Sequence, residues 1–308
     1  MSSENCKSIS LRAHAVRFGL RLFIKSRHRT EPIEVVRQRF KRMEWLVPPP
    51  PRGTKTRQFN IGDLPAVSIM VREARPDADV LFLHGGAYVV GSFRNYGHFT
   101  WRLGKAARAR VLAIDYRLAP EHPYPAALQD ALTAYRWLLG QGADPKRMLF
   151  AGDSAGGGLT LALLLKLRDE GQPLPAGTVT MSPWTDLAMT GASLHTNADR
   201  DPMLVASEVP RLAAIYLDGA DPRDPYASPL YGDPRGLPPT LIQAGGDEIL
   251  RDDAVRMAEK MKAAGCDVEL QISPCMPHVF QLLVTVMPEA QAAVAEVARF
   301  ARRVLPES

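Results

Sequence analysis

From about residue 57 onward the chain alternates between two hydrophobic periods. Short, nearly continuous runs of β-branched and aliphatic residues fall at 57–62, 66–72, 79–84, 110–114, 147–152, 177–182, 239–244 and 267–273. Between them, the stretches 97–108, 125–140, 154–169, 251–264 and 288–304 repeat apolar residues at three- and four-residue spacing, which predicts amphipathic helices. Strands that are apolar on both faces and separated by helices predict an α/β fold with a mostly parallel eight-stranded sheet covered on both sides. The rhythm breaks at two places. Residues 184–236 are rich in Asp, Pro and Gly and hold one helical piece, Glu208 to Leu217, so an insertion forming a lid over the sheet edge is expected there. The first 47 residues read as helical, with Leu11, Ala15, Phe18 and Leu22 at helical spacing and basic residues between them. The expectation is a helix that packs this apolar stripe on the main domain; the alternative is a helix lying on a membrane surface. Pro48 to Pro51 cannot continue a helix and form a stiff linker.

Composition narrows the class. With 308 residues, 46% hydrophobic and 23% charged, the chain reads as a globular α/β protein carrying a lid. No apolar run approaches the roughly 18 to 20 residues that cross a bilayer, and arginines interrupt every candidate signal core, so the expected compartment is the cytoplasm. Cys6, Cys266 and Cys275 form no C-x-x-C pair and are read as free thiols in a reducing compartment. Much of the net charge of +5 sits in the first 57 residues, including Arg12, Arg17, Arg21, Lys25, Arg27, Arg29, Arg37, Arg39, Lys41 and Arg42. A nucleic-acid enzyme would carry its basic residues around its site instead, so no nucleic-acid partner is expected.

The strongest chemical signal is Gly152-Asp153-Ser154-Ala155-Gly156, followed by Gly157 and Gly158. It lies between an apolar strand and the apolar helical run Leu159 to Leu167, the strand–turn–helix context of a nucleophile elbow. Small residues let backbones pass closely there, and the helix N-terminus faces the place where negative charge develops. A phosphate-binding turn is the alternative, but neither G-x-x-x-x-G-K nor G-x-G-x-x-G is present. His84-Gly85-Gly86-Ala87 ends the strand 79–84, and the N–H groups of Gly85, Gly86 and Ala155 are the expected oxyanion donors, each worth about 3 to 4 kcal/mol.

Seven histidines are present, and only His195 and His278 follow Ser154, as the order serine, acid, histidine requires. His195 falls in the insertion, whereas His278 follows strand 267–273 through a short loop and is the expected base. The expected acid is Asp247, first after strand 239–244 apart from two glycines, with Glu248 its rival; Asp252 and Asp253 are expected to cap the next helix. Cys275 has no elbow to activate it, and H-E-x-x-H and paired cysteines are absent from the sequence, so no metal is expected.

These motifs resemble those of the bacterial branch of the hormone-sensitive-lipase family of α/β-hydrolases. The matching stretches are His84 to Tyr88, Asp115 to Pro123, Gly152 to Gly157, Ser182-Pro183-Trp184, Asp247 to Asp252 and Met276-Pro277-His278. The resemblance implies hydrolysis of short- to medium-chain esters without a cofactor, by Ser154, Asp247 and His278, with His122 in a supporting role. It also implies a cap built from residues 1–47 and 184–236 over a catalytic domain made of 48–183 and 237–308, and pairing of two copies through the edge strand 267–273. Two positions depart from the family pattern. Ala87 replaces a third glycine, and Glu248 stands where the residue after the acid is often proline. Lactone hydrolysis and interfacial lipase action, with the basic N-terminal helix touching lipid, stay open. A non-catalytic receptor of this fold would lack the histidine that is present here. Tyr88, Trp184, Met203 and Tyr216 are candidate pocket residues, each equally a candidate for the core.

Overall fold

The structure, a computed structural model, describes residues 9–25 and 30–306. The chain order of its elements is α1 (Leu11–Leu20), a π-helical turn (Arg21–Lys25), α2 (Ile33–Glu44), β1 (Lys55–Ile61), β2 (Leu64–Met70), β3 (Arg75–Leu83), α3 (Gly97–Ala107), β4 (Ala109–Ile114), α4 (Ala126–Gly140), β5 (Met148–Asp153), α5 (Ser154–Asp169) and β6 (Gly177–Met181). It continues through α6 (Ser193–Thr196), α7 (Val209–Leu217), β7 (Thr240–Gly245), α8 (Arg251–Ala263), β8 (Val268–Ser273) and α9 (Pro288–Val304). All eight expected strands form one sheet in the order β1-β2-β4-β3-β5-β6-β7-β8. The hairpin β1–β2, closed by Gly62-Asp63, is antiparallel, as is β2–β4, and every pairing from β4 through β3 to β8 is parallel.

The apolar strands are two-sided because the sheet is covered on both faces. Along β3, Leu81 and Leu83 pack with α4, α5 and α8, while Val80 and Phe82 face α3 and α9. In β5, Met148 and Phe150 face the first layer, Leu149 and Ala151 the second. β5 is thus central and buried along its whole length, which places its C-terminal end, the start of α5, in the middle of the sheet edge.

The N-terminal helix is inside out relative to the expectation. Leu11 is 87% and Phe18 70% exposed, whereas Ala13 is buried and Val16 packs on the α3–α9 layer. The basic side faces the protein. Arg21 donates to the carbonyls of Asp199 (2.9 Å) and Arg200 (3.3 Å), and Lys25 to those of Asp201 (2.6 Å) and Ala198. Carbonyls gathered in one loop need donors more than leucines need cover, because unpaired polar groups out of water cost more than one exposed apolar side chain. Helix α1 is anchored at its start by Ser10, whose N–H and hydroxyl both donate to the Glu289 carboxylate at the head of α9. In α2, Arg37 donates to the carbonyls of Val89 and Ala119, each at 2.7 Å.

Two further expectations are corrected. Asp252 and Asp253 do not cap α8: their carboxylates accept N–H groups of Ser193, and of Thr185 and Asp186, tying the start of the 184–236 segment to the head of α8. Of the three cysteines, Cys266 is a free thiol and Cys275 is disulfide-bonded, so a uniform set of free thiols is excluded; Cys6 lies outside the described residues, as do Arg27 and Arg29. No helix among the described residues is long and apolar enough to cross a membrane.

The central strand sets a stability expectation. Phe150 is fully buried and lies edge-to-face with Tyr135, ring centroids 5.3 Å apart. Phe150→Ala should cost about 3 to 5 kcal/mol, read as a lowered midpoint in denaturant with unchanged slope.

Candidate active site

The site grows from a close backbone approach at the end of β5. The chain leaves the strand at Asp153 and enters α5 at once, and Ser154 turns the corner at φ +53°, a left-handed conformation that costs a non-glycine residue of order 1 to 3 kcal/mol. A Cβ on Gly152 would lie 2.3 Å from the Gly156 carbonyl oxygen, and one on Gly156 only 2.1 Å from that of Leu83. Glycine at both positions is therefore what lets the turn close and hold Ser154 at the sheet edge, half-buried.

Three loops from the same edge meet the serine. His278, on the loop after β8, places Nε2 2.8 Å from Ser154 Oγ. Its other ring nitrogen, Nδ1, lies 3.0 Å from Glu248 Oε2. The acid beside the imidazole is thus Glu248, not Asp247. Consecutive residues after β7 send their side chains apart. Asp247 turns to Arg17 Nη2 (2.7 Å) and Arg200 Nη2 (2.6 Å), where two guanidiniums compensate its buried charge. Glu248, fully buried, is left to face the ring, and its loop is held by the Asn197 amide donating to its carbonyl (2.9 Å) and by Ile249 N–H donating to Asp201 Oδ2 (2.9 Å). Ser182 supports the histidine side by accepting Val279 N–H at 3.0 Å. Asn197 and Asp201 were not singled out in the sequence, where the polar run Asn197 to Asp201 in the insertion was the one available signal; Ser182 lay within the matching stretch Ser182-Pro183-Trp184 but without a role.

Electrostatics follow from burial. Burial pulls the His278 pKa down, but the hydrogen bond and charge of Glu248, helped by Asp201 and Asp153, more than offset it, so the imidazole is raised above its ordinary value. Burial also raises Glu248, against the opposing pull of His278. A carboxylate at Nδ1 selects the tautomer with its proton there, leaving Nε2 as the acceptor for the serine hydroxyl.

The loop after β3 differs by one residue from the expectation. Gly85 N–H is already engaged, donating to Asp153 Oδ1 and to the Tyr96 hydroxyl oxygen, both at 3.0 Å. Gly86 and Ala87 adopt positive φ of +120° and +54°, and among the described residues their N–H groups reach no acceptor. Ala155 N–H, in the first turn of α5, has no partner four residues back and no side-chain cap. The unengaged donors are therefore those of Gly86, Ala87 and Ala155. Gly86 must be glycine, because a Cβ there would fall 2.0 Å from Val90 O. His84 is scaffold for this loop. Its ring stacks on Tyr116 with centroids 4.3 Å apart, Tyr116 donates to the His84 carbonyl at 2.7 Å, and burial pushes its pKa down to about 4, so it stays neutral. Asp153 is pushed up to about 7, chiefly by burial.

Of the candidate pocket residues, Tyr88 and Tyr216 stack face to face at 3.7 Å and Trp184 lies 6.3 Å from Tyr88, all three buried. Trp184 N–H donates to the Ser154 carbonyl at 2.9 Å, which seats this aromatic group beside the elbow. Met203 is half-buried and not part of it, its N–H donating to Asp201 Oδ1. His195 is exposed on the insertion, and His122 is exposed as well.

Comparison with known proteins identifies the family to which this fold belongs. A family described as alpha/beta hydrolase fold matches residues 80–282. An acetyl-hydrolase of Streptomyces hygroscopicus is 48% identical over 233 residues, covering 75% of this chain and 78% of that protein. An esterase of Acinetobacter venetianus is 40% identical over 223 residues, 72% of this chain and 74% of its own. Among solved structures, an esterase from the bacterial hormone-sensitive-lipase family superposes with a TM-score of 0.91 at 41% identity, covering 96% of this chain and 99% of that one. The esterase EstE5, soaked with p-nitrophenyl butyrate, does so with a TM-score of 0.91 at 38% identity over 96% and 99%.

A hydroxyl held by a neutral imidazole reacts with a phosphorylating serine reagent faster than any other on the chain. Treatment with a fluorophosphonate should modify Ser154 alone by peptide mass spectrometry, and His278→Ala should slow that labelling by about 10² to 10⁴.

Proposed function

Since the chain belongs to the bacterial hormone-sensitive-lipase family of α/β-hydrolases and is a carboxylic-ester hydrolase, we propose that it cleaves short- to medium-chain acyl esters of small molecules through an acyl-enzyme on Ser154, with His278 as base and Glu248 as its acid partner. The observation that carries this reading is the unbroken chain Ser154 Oγ–Nε2 His278 Nδ1–Oε2 Glu248, at 2.8 and 3.0 Å. Nε2 takes the hydroxyl proton as Oγ attacks the ester carbonyl. The carbonyl oxygen becomes an oxyanion, to which Gly86, Ala87 and Ala155 N–H offer donors, at the positive end of α5. The imidazolium, stabilised by Glu248, protonates the departing alkoxide. Water, activated by the same nitrogen, then attacks the acyl-enzyme and releases the acid. The Tyr88–Trp184–Tyr216 group beside the elbow supports a short acyl chain, since it fills space that a long one would need. Residues 9–47 and 184–236 act as one cap in this reading, supported by Thr30 donating to Glu208 at 2.6 Å and by the bonds of Arg21 and Lys25 to the 198–201 carbonyls.

Hydrolysis of p-nitrophenyl butyrate tests the assignment. Ser154→Ala should lose at least about 10³ in kcat/KM, and Glu248→Gln about 10² to 10⁴, with the fold retained. Equal activity of Ser154→Ala and the native chain would reject the mechanism.

The pH profile tests the base. Because the His278 pKa is raised, the ring keeps its proton to higher pH, and the active neutral form is lost as pH falls through that raised value. The log of kcat/KM should therefore climb through one ionisation centred above the ordinary histidine value of about 6.5. In Glu248→Gln the hydrogen bond and charge of that carboxylate are lost and burial is opposed only by Asp201 and Asp153, so the midpoint should move down. A profile flat from about pH 5 to 9 would remove His278 from the role.

A further inference from the structure

We infer that Asp247 is a positioning residue: by clamping it between Arg17 of the N-terminal helix and Arg200 of the insertion, the protein makes docking of that helix a condition for Glu248 to meet His278. The inference rests on Glu248 being the acid partner of His278.

The clamp joins three segments that are far apart in sequence. Asp247 is 2% exposed, and its two carboxylate oxygens are divided between the arginines, Oδ2 to Arg17 at 2.7 Å and Oδ1 to Arg200 at 2.6 Å. Arg17 also donates, through its other terminal nitrogen, to the carbonyl of Cys275, three residues before His278. One guanidinium thus bridges the acid loop and the histidine loop, and Asp247 N–H adds a bond between them to Met276 O at 3.3 Å. The same helix side then continues to Arg21 and Lys25, which hold the carbonyls of Ala198 to Asp201. That loop and the residue before it supply side-chain bonds to the Glu248 turn: the Asn197 amide donates to the carbonyls of Gly246 (3.2 Å) and Glu248 (2.9 Å), and Asp201 accepts from Ile249 N–H. The Asn197 and Asp201 bonds to the Glu248 turn therefore come from the loop that the N-terminal helix grips, or from the residue before it, while Ser193 of α6 adds a bond to Ile249 O at 2.7 Å.

The consequence is specific to the relay. If Arg17 is removed, a carboxylate with almost no solvent is left half compensated, and a buried charge in that state is costly enough to move its loop. Glu248, the next residue, moves with it. A longer Nδ1–Oε2 contact weakens the hold on the tautomer and on the imidazolium, while the ester-binding surfaces around Gly86 and Trp184 are untouched. The charged groups acting on the ring are Glu248, Asp201 and Asp153, and Glu248 is the one that the clamp orients.

The test uses the full chain and p-nitrophenyl butyrate. Asp247→Asn and Arg17→Ala should each lower kcat about 10- to 100-fold with KM changed less than about threefold, and the acid limb of the pH profile should shift to lower pH. Arg17→Lys, which keeps the charge but loses the fork, should recover at least about threefold over Arg17→Ala. In a Glu248→Gln background, adding Asp247→Asn should cost less than about twofold, because the route of its action is already cut. Native-like kcat and pH profile in both single variants, or an undiminished loss in the Glu248→Gln background, would overturn the inference. If Asp247→Asn fails to fold, Arg17→Ala decides, since the Arg17 side chain is 17% exposed and its loss opens to solvent. A loss near 10³ or more from Asp247→Asn with little from Glu248→Gln would mean that Asp247 is itself the acid, a distinct result that rejects the underlying reading.

Discussion

The contact on which the site depends is the passage of the first turn of α5 against the end of β3. Gly156 comes so near the Leu83 and His84 carbonyls that no side chain fits between them. This approach fixes three things together. It forces Ser154 into its left-handed turn, it aims the open N-terminus of α5 at the space above, and it brings Asp153 within reach of Gly85. Asp153 and Tyr96 then occupy the Gly85 N–H, so the loop after β3 can offer only its next two donors. Elbow and oxyanion loop are in this sense one object, and a larger residue at 152 or 156 would disturb both.

Around that object the organising demand is the partnering of buried carboxylates. Asp153, Asp201, Asp247, Glu248 and Asp253 are all buried, and each is answered differently. Asp201 and Asp253 accept backbone N–H groups from loop starts, Asp153 takes a hydroxyl and an N–H, Asp247 takes two guanidiniums, and Glu248 takes an imidazole. Only the last pairing involves a partner that can change charge during a reaction. The others serve as fixed supports. A carboxylate satisfied by fixed cations, as Asp247 is, has no reason to follow a proton at His278, whereas Glu248 gains whenever the ring is protonated.

The sheet was legible in the sequence because the strands from β3 to β7 are covered on both faces and read as apolar runs, with the edge strand β8 alternating Val268, Leu270 and Ile272 with polar residues. The meeting of Ser154 and His278 was legible because glycine spacing and chain order constrain them. What could not be read was direction. Sequence position identifies the loop that carries Asp247 and Glu248, but which of the two faces the imidazole is decided by Arg17 and Arg200, which lie far off in the chain. The unengaged N–H groups of the loop after β3 lie one residue beyond the expectation for a similar reason: Gly85 N–H is taken by Asp153 and Tyr96, and positive φ at Gly86 and Ala87 turns the next peptide planes. The disulfide at Cys275 left no spacing signal at all.

The N-terminal helix carries the same lesson to the level of function. Its hydrophobic periodicity is real, yet periodicity reports only that two faces differ, not which one the protein covers. The acceptors that settle the matter are the Cys275 carbonyl, the Asp247 carboxylate and the carbonyls of residues 198 to 201, all supplied by loops from the sheet edge or the insertion. Those acceptors exist in this arrangement only when the acid and histidine loops are in place. A cationic helix side that is satisfied only by the assembled site favours the assembled site in return, because binding and ordering are the two sides of one equilibrium. Arg17, which in sequence belongs to a basic cluster open to an external anion, is in the folded chain the internal counterion of Asp247, and Arg21 and Lys25 beside it hold loop carbonyls.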